Sequence, residues 1–474
     1  MKQRRLALIL LLAFFIAASL STAIPVKALP TEVWVDDDYT SATPGWGTTH
    51  FKFVQNGIDA VAVGGTVNVA AGTYQENLAG WKDMEIIKSL SLIGSGSGTT
   101  VIQLSEGSGL GGKMNGVEIR GSNLDVHLEG LMFTKRPGNT YATSYSLRIA
   151  ETASSFTKLT MIDVEVAYAE ACDVILGGNG LFNEVYIEDC YFHHAGTWGF
   201  LGSGTINKIT VINSDFEYNG QVDPDHGNGF DLTGPSSTNV LVDGGSFSNN
   251  KQAGINLMQV SNAVFRNLVA NDNSGASGGG FGIKLDEWGG KSEDILIEKC
   301  IASGNGLDGI TIQPEKDDAI ENVTIFCSQL TGNGRNGLNL VYIYSGSNNP
   351  EMTDVSISCS QIFDNGGFGV RVWSWWVTMP ITEVFSAENN WWGSASGPYH
   401  STDNPSGTGD KVSDNVDFTP WAKWTPPCGP PPVGGVWVPI NKFQLLAPWI
   451  GLASLMTVAT ASIIYVKHRK KQQN

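Results

Sequence analysis

Basic residues are scarce in this chain of 474 residues, which carries 29 Lys and Arg against 46 Asp and Glu. Four of the basic residues lie within 1–28 and four within 467–474, so the stretch between them holds 21 against 46, a net charge of −25. Such a surface repels nucleic acid and favours cations or neutral to basic partners. Cysteine is sparse too. The six residues are Cys172, Cys190, Cys300, Cys327, Cys359 and Cys428, and none falls in a CxxC or Cys/His pattern of the kind that holds zinc. Long apolar runs are confined to the two ends.

Those two runs set the expected location. Residues 1–28 have a basic start (Lys2, Arg4, Arg5), an apolar run from Leu6 to Ala18 and a Val26-Lys27-Ala28 stretch compatible with cleavage, the pattern of a secretory signal peptide. Residues 443–466 carry no charge and are long enough to cross a bilayer as a transmembrane helix. The basic tail 467–474 then sits on the cytoplasmic side. A Pro/Gly stalk over 425–442 joins that span to an ectodomain at 29–424, expected outside the cell membrane.

What fills the ectodomain is repetition. Between residues 183 and 372 one pattern recurs seven times: an apolar anchor, Asn eight residues later in six of the seven, then Gly-apolar-x-apolar. The anchors are Ile187, Val211, Val242, Phe265, Ile297, Ile325 and Ile357. Eight positions on stand Ala195, Asn219, Asn250, Asn273, Asn305, Asn333 and Asn365. One such unit cannot bury its apolar side alone, so the units must stack. Short period-two strands punctuated by Asn and Gly predict the coils of a parallel β-helix, an all-β solenoid. The two apolar residues of each Gly-Φ-x-Φ point inward and the middle one outward. The Asn column fits a turn where side-chain amides bond from coil to coil, and Asn tolerates a left-handed backbone there.

Weaker coils run over 65–176, and 51–63 reads as a short capping helix with Phe51, Val54, Ile58 and Val61 on one face. Aromatic-rich 381–424 supplies a lid at the other end. The helix followed by GGTVNVAAGTYQENL (64–78), the Asn/Gly coils and the closing NNWWGSASGPYHSTDNPSGTGDKVSDNVDFTPW (389–421) resemble right-handed parallel β-helix surface proteins of the pectin-lyase-like superfamily, common in archaeal and some bacterial envelopes. The resemblance implies the fold and leaves the activity open, because that superfamily holds lyases, hydrolases, esterases, adhesins and scaffolds.

The outward positions form two rows. The first is Asp231, Asn256, Lys284, Thr311, Asn339 and Arg371; the second includes Met258, Asp286, Gln313, Val341 and Trp373. Asp231 and Asp286, roughly 10 Å apart by rung spacing, are candidate acid and base of an inverting glycosidase. His226 would tune either one, and Lys284 is the base of a lyase reading. Asp223 and Asp225 are candidate oxygen ligands for Ca²⁺, as are Asp36, Asp37 and Asp38. QVDPDHGNGFDL (221–232) faintly resembles polygalacturonase motifs, but the companion Asn-Thr-Asp and Arg-Ile-Lys are missing, as is the Arg-rich pectate-lyase signature.

Asn256, Asn339, Arg371, Trp373, Tyr342 and Trp288 are candidate carbohydrate-binding residues; Trp373, Trp375 and Trp376 form either a sugar-stacking platform or packing beneath the C-terminal lid. Cys327 and Cys359 occupy matching places in adjacent coils, as a disulfide or as small side chains of the wall. His193 and His194, adjacent in a strand, are expected to face opposite ways at a turn. Asn322-Val-Thr is a glycosylation acceptor. Three readings follow: a glycan- or envelope-polymer-binding surface protein, a polysaccharide hydrolase or lyase, and an inert spacer.

Overall fold

The computed structural model describes residues 28–426 except 77–80, 107–113, 151–153, 276–278, 288, 344–349 and 376–380. The signal peptide, most of the stalk, the transmembrane segment, Trp288, Trp376 and Cys428 therefore lie outside the described residues. Among the described residues no helix is long and apolar enough to cross a membrane. The described chain belongs to one compact unit, Met1–Pro430.

That unit is an all-β parallel solenoid. One wall is an eleven-stranded sheet. In chain order its strands are β1 (Lys82–Ile86), β2 (Asn115–Ile119), β3 (Tyr145–Ile149), β4 (Cys172–Leu176), β5 (Phe200–Gly202), β6 (Phe230–Leu232), β7 (Ala253–Leu257), β8 (Phe281–Glu287), β9 (Ile310–Pro314), β10 (Asn336–Tyr342) and β11 (Phe368–Ser374). Each pairs in parallel with the next, so the weaker coils upstream of residue 176 carry the same wall as the regular ones.

A second, larger sheet closes the coils, and all seven anchors stack there in one column. Phe192, Phe216 and Phe247 rise through the core with ring centroids 4.9 and 5.0 Å apart. The capping helix α1 (Val54–Ala60) is shorter than the 51–63 expected, because Phe51 belongs to a two-residue strand, His50–Phe51. Its predicted apolar face is nevertheless buried at Phe51, Val54, Ile58 and Val61.

The Asn column is a continuous hydrogen-bonded ladder. Each Asn sends its backbone N–H and one side-chain N–H to the side-chain oxygen of the next, at 2.9–3.2 Å from Asn219 through Asn250, Asn273, Asn305 and Asn333 to Asn365. The other amide N–H goes to a backbone carbonyl of Phe192, Phe216, Phe247, Ala270, Ala302 or Leu330. Every buried polar atom of the amide is thereby satisfied.

The ladder ends on carboxylates. Asp410 accepts both donors of Asn365. Below Ala195, whose N–H goes to Asn219, the coil carries Ala169 at this position, and Asp173 accepts its N–H at 3.0 Å.

The left-handed residue is the one before the ladder Asn, contrary to the sequence reading. Tyr168 (φ 66), His194 (φ 61), Tyr218 (φ 58), Asn249 (φ 61), Asp272 (φ 54), Gly304 (φ 66), Gly332 (φ 65) and Asp364 (φ 58) share that corner. Cys327 and Cys359 sit at another left-handed corner, at φ 52 each, and are thiols not joined to one another.

Glycine stands at the start of each strand from β5 to β10 (Gly199, Gly229, Gly254, Gly282, Gly309 and Gly337) because the ladder passes directly behind it. A Cβ at Gly309 would lie 2.8 Å from the Gly337 carbonyl oxygen and 2.9 Å from the Asn333 amide nitrogen. Replacing Asn305 by Ala strands the donors of Asn273 and the carbonyl of Ala270 inside the core. The expected loss is about 2–4 kcal/mol, seen as a lower thermal midpoint and as faster amide exchange centred on the two flanking coils.

Candidate functional site

Register places the first outward row as expected: Asp231, Asn256, Lys284, Thr311, Asn339 and Arg371 are successive partners across β6–β11. In the second row Asp286 stands beside Gln313, and Val341 beside Trp373. The row is less open than a bare sheet face. Asp231, Asn256, Thr311 and Asn339 are all buried.

The cover comes partly from residues three positions back on the same turn. Asn228 donates to Asp231 at 2.7 Å, and Asn256 donates to its other oxygen at 3.3 Å. Thr311 donates to Asp308 at 2.8 Å. Asn336 donates to Asn339 at 3.4 Å. Phe281 lies under the Lys284 ammonium and Phe368 under the Arg371 guanidinium, at 5.4 and 5.5 Å.

The four candidate catalytic residues do not form one constellation. Burial pushes the Asp231 carboxyl up to about 6, against the lowering effect of bonds from Asn228, Asn256, Trp198 and Thr233. Lys284 is ion-paired with Asp286, so neither is available alone as acid or base. Asp286 also accepts from Gln313 at 2.9 Å, on the rung away from Asp231. The two acids are two rungs and two residues apart, about 12 Å between backbone positions rather than about 10. The estimate from rung spacing alone omitted the offset along the strand.

His226 is exposed and bonded to Asp223 at 2.9 Å, with Trp198 5.3 Å from its ring. Asp223 caps the single turn Pro224–His226 by accepting from the Asp225 N–H. Its carboxyl is held low by the His226 bond. The structure thus does not gather Asp223, Asp225 and Asp231 around one point. Among the described residues only Asp36, Asp37 and Asp38 bring three candidate metal ligands within 4.8 Å of one another.

The aromatic candidates divide. Tyr342 is core: the alternation that turns Leu338 and Leu340 inward continues to it, and its hydroxyl donates to the Met352 carbonyl at 3.3 Å. Trp373 is half-buried, and its indole N–H donates to Asn339 at 2.9 Å. Trp375, 5.6 Å from it between ring centres, is 59% exposed. Arg371 stacks over Trp373 at 4.4 Å, and no carboxylate partner is found for it among the described residues.

Beside Arg371 stands a pair that the sequence reading missed. Asp308, fully buried, receives Nε and Nη2 of Arg335, the backbone and side-chain N–H of Asn336, and the Thr311 hydroxyl. The bond to Asp308 holds the Arg335 guanidinium charged. Burial, then the neighbouring charge of Arg335, lowers Arg371. The overlooked signal was positional: Asn228, Asp308 and Asn336 each lie three residues before an outward polar residue.

The family model described as the right handed beta helix region matches residues 149–276 and 221–354, and the fold is that right-handed parallel β-helix. No curated protein matches the chain. Among solved structures it is similar to the A-module of mannuronan C-5 epimerase AlgE4 of Azotobacter vinelandii, at 18% identity and TM-score 0.42 over 64% of this chain and 92% of that one. It is also similar to pectate lyase Pel9A, at 17% and 0.39 over 70% and 78%. The catalytic domain of a GH87 α-1,3-glucanase aligns at 13% and 0.44 over 76% and 64%. Likeness at this level carries no argument about activity.

Asp231 has a consequence for pH. Its folded pKa exceeds the unfolded value of about 3.9, so the folded state holds the proton more tightly. Its contribution is full below pH 4 and is lost as pH rises through about 6, at most about 3 kcal/mol. Thermal unfolding between pH 4 and 7 should show that slope, and Asp231→Asn should flatten it.

Proposed function

We propose that this chain is a membrane-anchored extracellular β-helix that binds a carbohydrate polymer along the outer face of β6–β11, in adhesion or association with an envelope layer. One observation carries the reading. In a chain this acidic, a partly buried guanidinium at Arg371 stands without an ion-paired carboxylate among the described residues, 4.4 Å from the centre of the Trp373 ring, which lies beside exposed Trp375. Aromatic faces stack on sugar rings, and a guanidinium takes hydroxyl or carboxylate oxygens beside them. The location rests on the apolar segments 1–28 and 443–466. Ca²⁺ enters as a proposed cofactor, with Asp36, Asp37 and Asp38 as its hard oxygen donors.

A second reading, hydrolase or lyase, is favoured by one feature: the buried Asp231 carboxyl, poised near 6, has the proton affinity of a general acid. Against it stands the Lys284–Asp286 pair, which consumes the expected partners.

The two are separated by incubating the full-length protein with a polysaccharide panel, with and without Ca²⁺. Retention on at least one polymer, weakened tenfold or more by Arg371→Ala and by Trp375→Ala, with no reducing ends or unsaturated uronates released, is the expected result. Release that depends on Asp231 would install the enzyme reading. Neither retention nor release would leave a spacer.

A further inference from the structure

The left-handed corner that precedes the Asn ladder changes what the His193-His194 pair can do. In an extended strand adjacent side chains point to opposite faces. His193 ends the strand Tyr191–His193, but His194 adopts φ 61, and the reversal swings its ring to the same side. The two Nδ1 atoms lie 2.7 Å apart. On the far side of the His193 ring, Nε2 faces the Glu165 carboxylate at 3.1 Å. That carboxylate draws the single proton of a neutral imidazole to Nε2, which leaves Nδ1 of His193 as a bare lone pair aimed at Nδ1 of His194. Carboxylate–imidazole–metal relays have this arrangement, with the outer carboxylate fixing tautomer and ring angle.

Both rings are clamped. Tyr191 stacks on His193 at 4.0 Å. Tyr168 and Tyr218, which hold the same corner in the coils before and after, flank His194 at 5.0 and 5.2 Å. Glu217 pairs in register with His193 on the next coil, and Lys135 covers the outer face of Tyr168 at 4.3 Å. Three successive left-handed corners thus place aromatic rings on both sides of two imidazoles whose Nδ1 atoms face one another.

We infer that His193 and His194 chelate one late first-row divalent cation through their two Nδ1 atoms, with Glu165 as the positioning carboxylate. Imidazole nitrogen suits Cu²⁺, Ni²⁺ and Zn²⁺, and for equal ligands Cu²⁺ binds tightest of these. Metal–nitrogen bonds of about 2.0–2.1 Å need the two nitrogens about 2.9–3.4 Å apart at cis or tetrahedral angles, so the present contact widens slightly and both rings turn until their lone pairs converge on the ion. On binding, the proton between the rings moves to Nε2 of His194, and no electron is transferred. No third His, Cys, Asp or Glu among the described residues joins the group, so water completes the coordination and the ion is exchangeable.

The test is competition of the chelator-stripped full-length protein against a chromophoric indicator, with Cu²⁺ and then Zn²⁺ as the probes. One ion per chain is expected at this site, Cu²⁺ tighter than Zn²⁺. His194→Asn is the decisive variant, because Asn249 already occupies the equivalent corner two coils on and the substitution is compatible with the fold. It should lower stoichiometry by one or weaken binding at least tenfold. Glu165→Gln should weaken it about 10–100-fold. Nitrogen hyperfine structure in the Cu²⁺ electron paramagnetic resonance spectrum should report two imidazoles in the parent protein and one in the variant. Equal affinity and stoichiometry in parent and His194→Asn would overturn the assignment. Ions held at Asp36–Asp38 would survive that variant, and the result is independent of whether any glycan is retained.

Discussion

The Asn ladder is the constraint from which the rest of the solenoid follows. A turn made at the same place in every coil leaves backbone donors and acceptors inside the protein, away from water, and each would be costly unpaired. The Asn side chain offers two donors and an acceptor that takes two bonds, enough to join the next Asn and the preceding coil at once. Its thickness forces glycine at the start of each regular β strand, where a Cβ would strike the amide. Its path forces the residue before it into the left-handed region. Composition, register and corner geometry are one requirement seen three ways.

The ends show the same logic. A ladder of neutral amides has a donor end that needs an acceptor, and Asp410 supplies it from the C-terminal lid. Burial raises that carboxyl while the Asn365 bonds lower it. At the other end Asp173 replaces the missing amide with a carboxyl lying on the strand itself, again buried and again raised. Acids at buried positions in this chain are therefore first structural. Asp308, which fixes Arg335, belongs with them. What distinguishes Asp231 is its place in the outward row, where its partners are polar side chains of the face itself.

Legibility differed by level. Both apolar columns and the outward row could be read because period-two alternation and a repeated Gly mark fix which way each residue of a strand points. The burial of that row could not, since it depends on side chains three residues upstream and on the next coil. Tyr342 was readable and was misassigned: the alternation that turned Leu340 inward applied equally two residues later. The His193-His194 pair failed for the opposite reason, because the alternation was applied across a corner where it stops.

By itself the sequence determined the coil, its ladder and the sign of its surface charge, because these come from local period, residue type and composition. Only the tertiary structure decided which polar groups are already spent on one another. Lys284 is bound to Asp286 and Arg335 to Asp308, while Arg371 lies over aromatic rings with no ion-paired carboxylate among the described residues. Some of these pairings join second neighbours on one strand, as Lys284 and Asp286 do, and others cross between coils, as Arg335 to Asp308 and Gln313 to Asp286 do, each 27 positions apart along the chain. A one-dimensional pattern shows which side chains share a face. Stacking determines which of them touch.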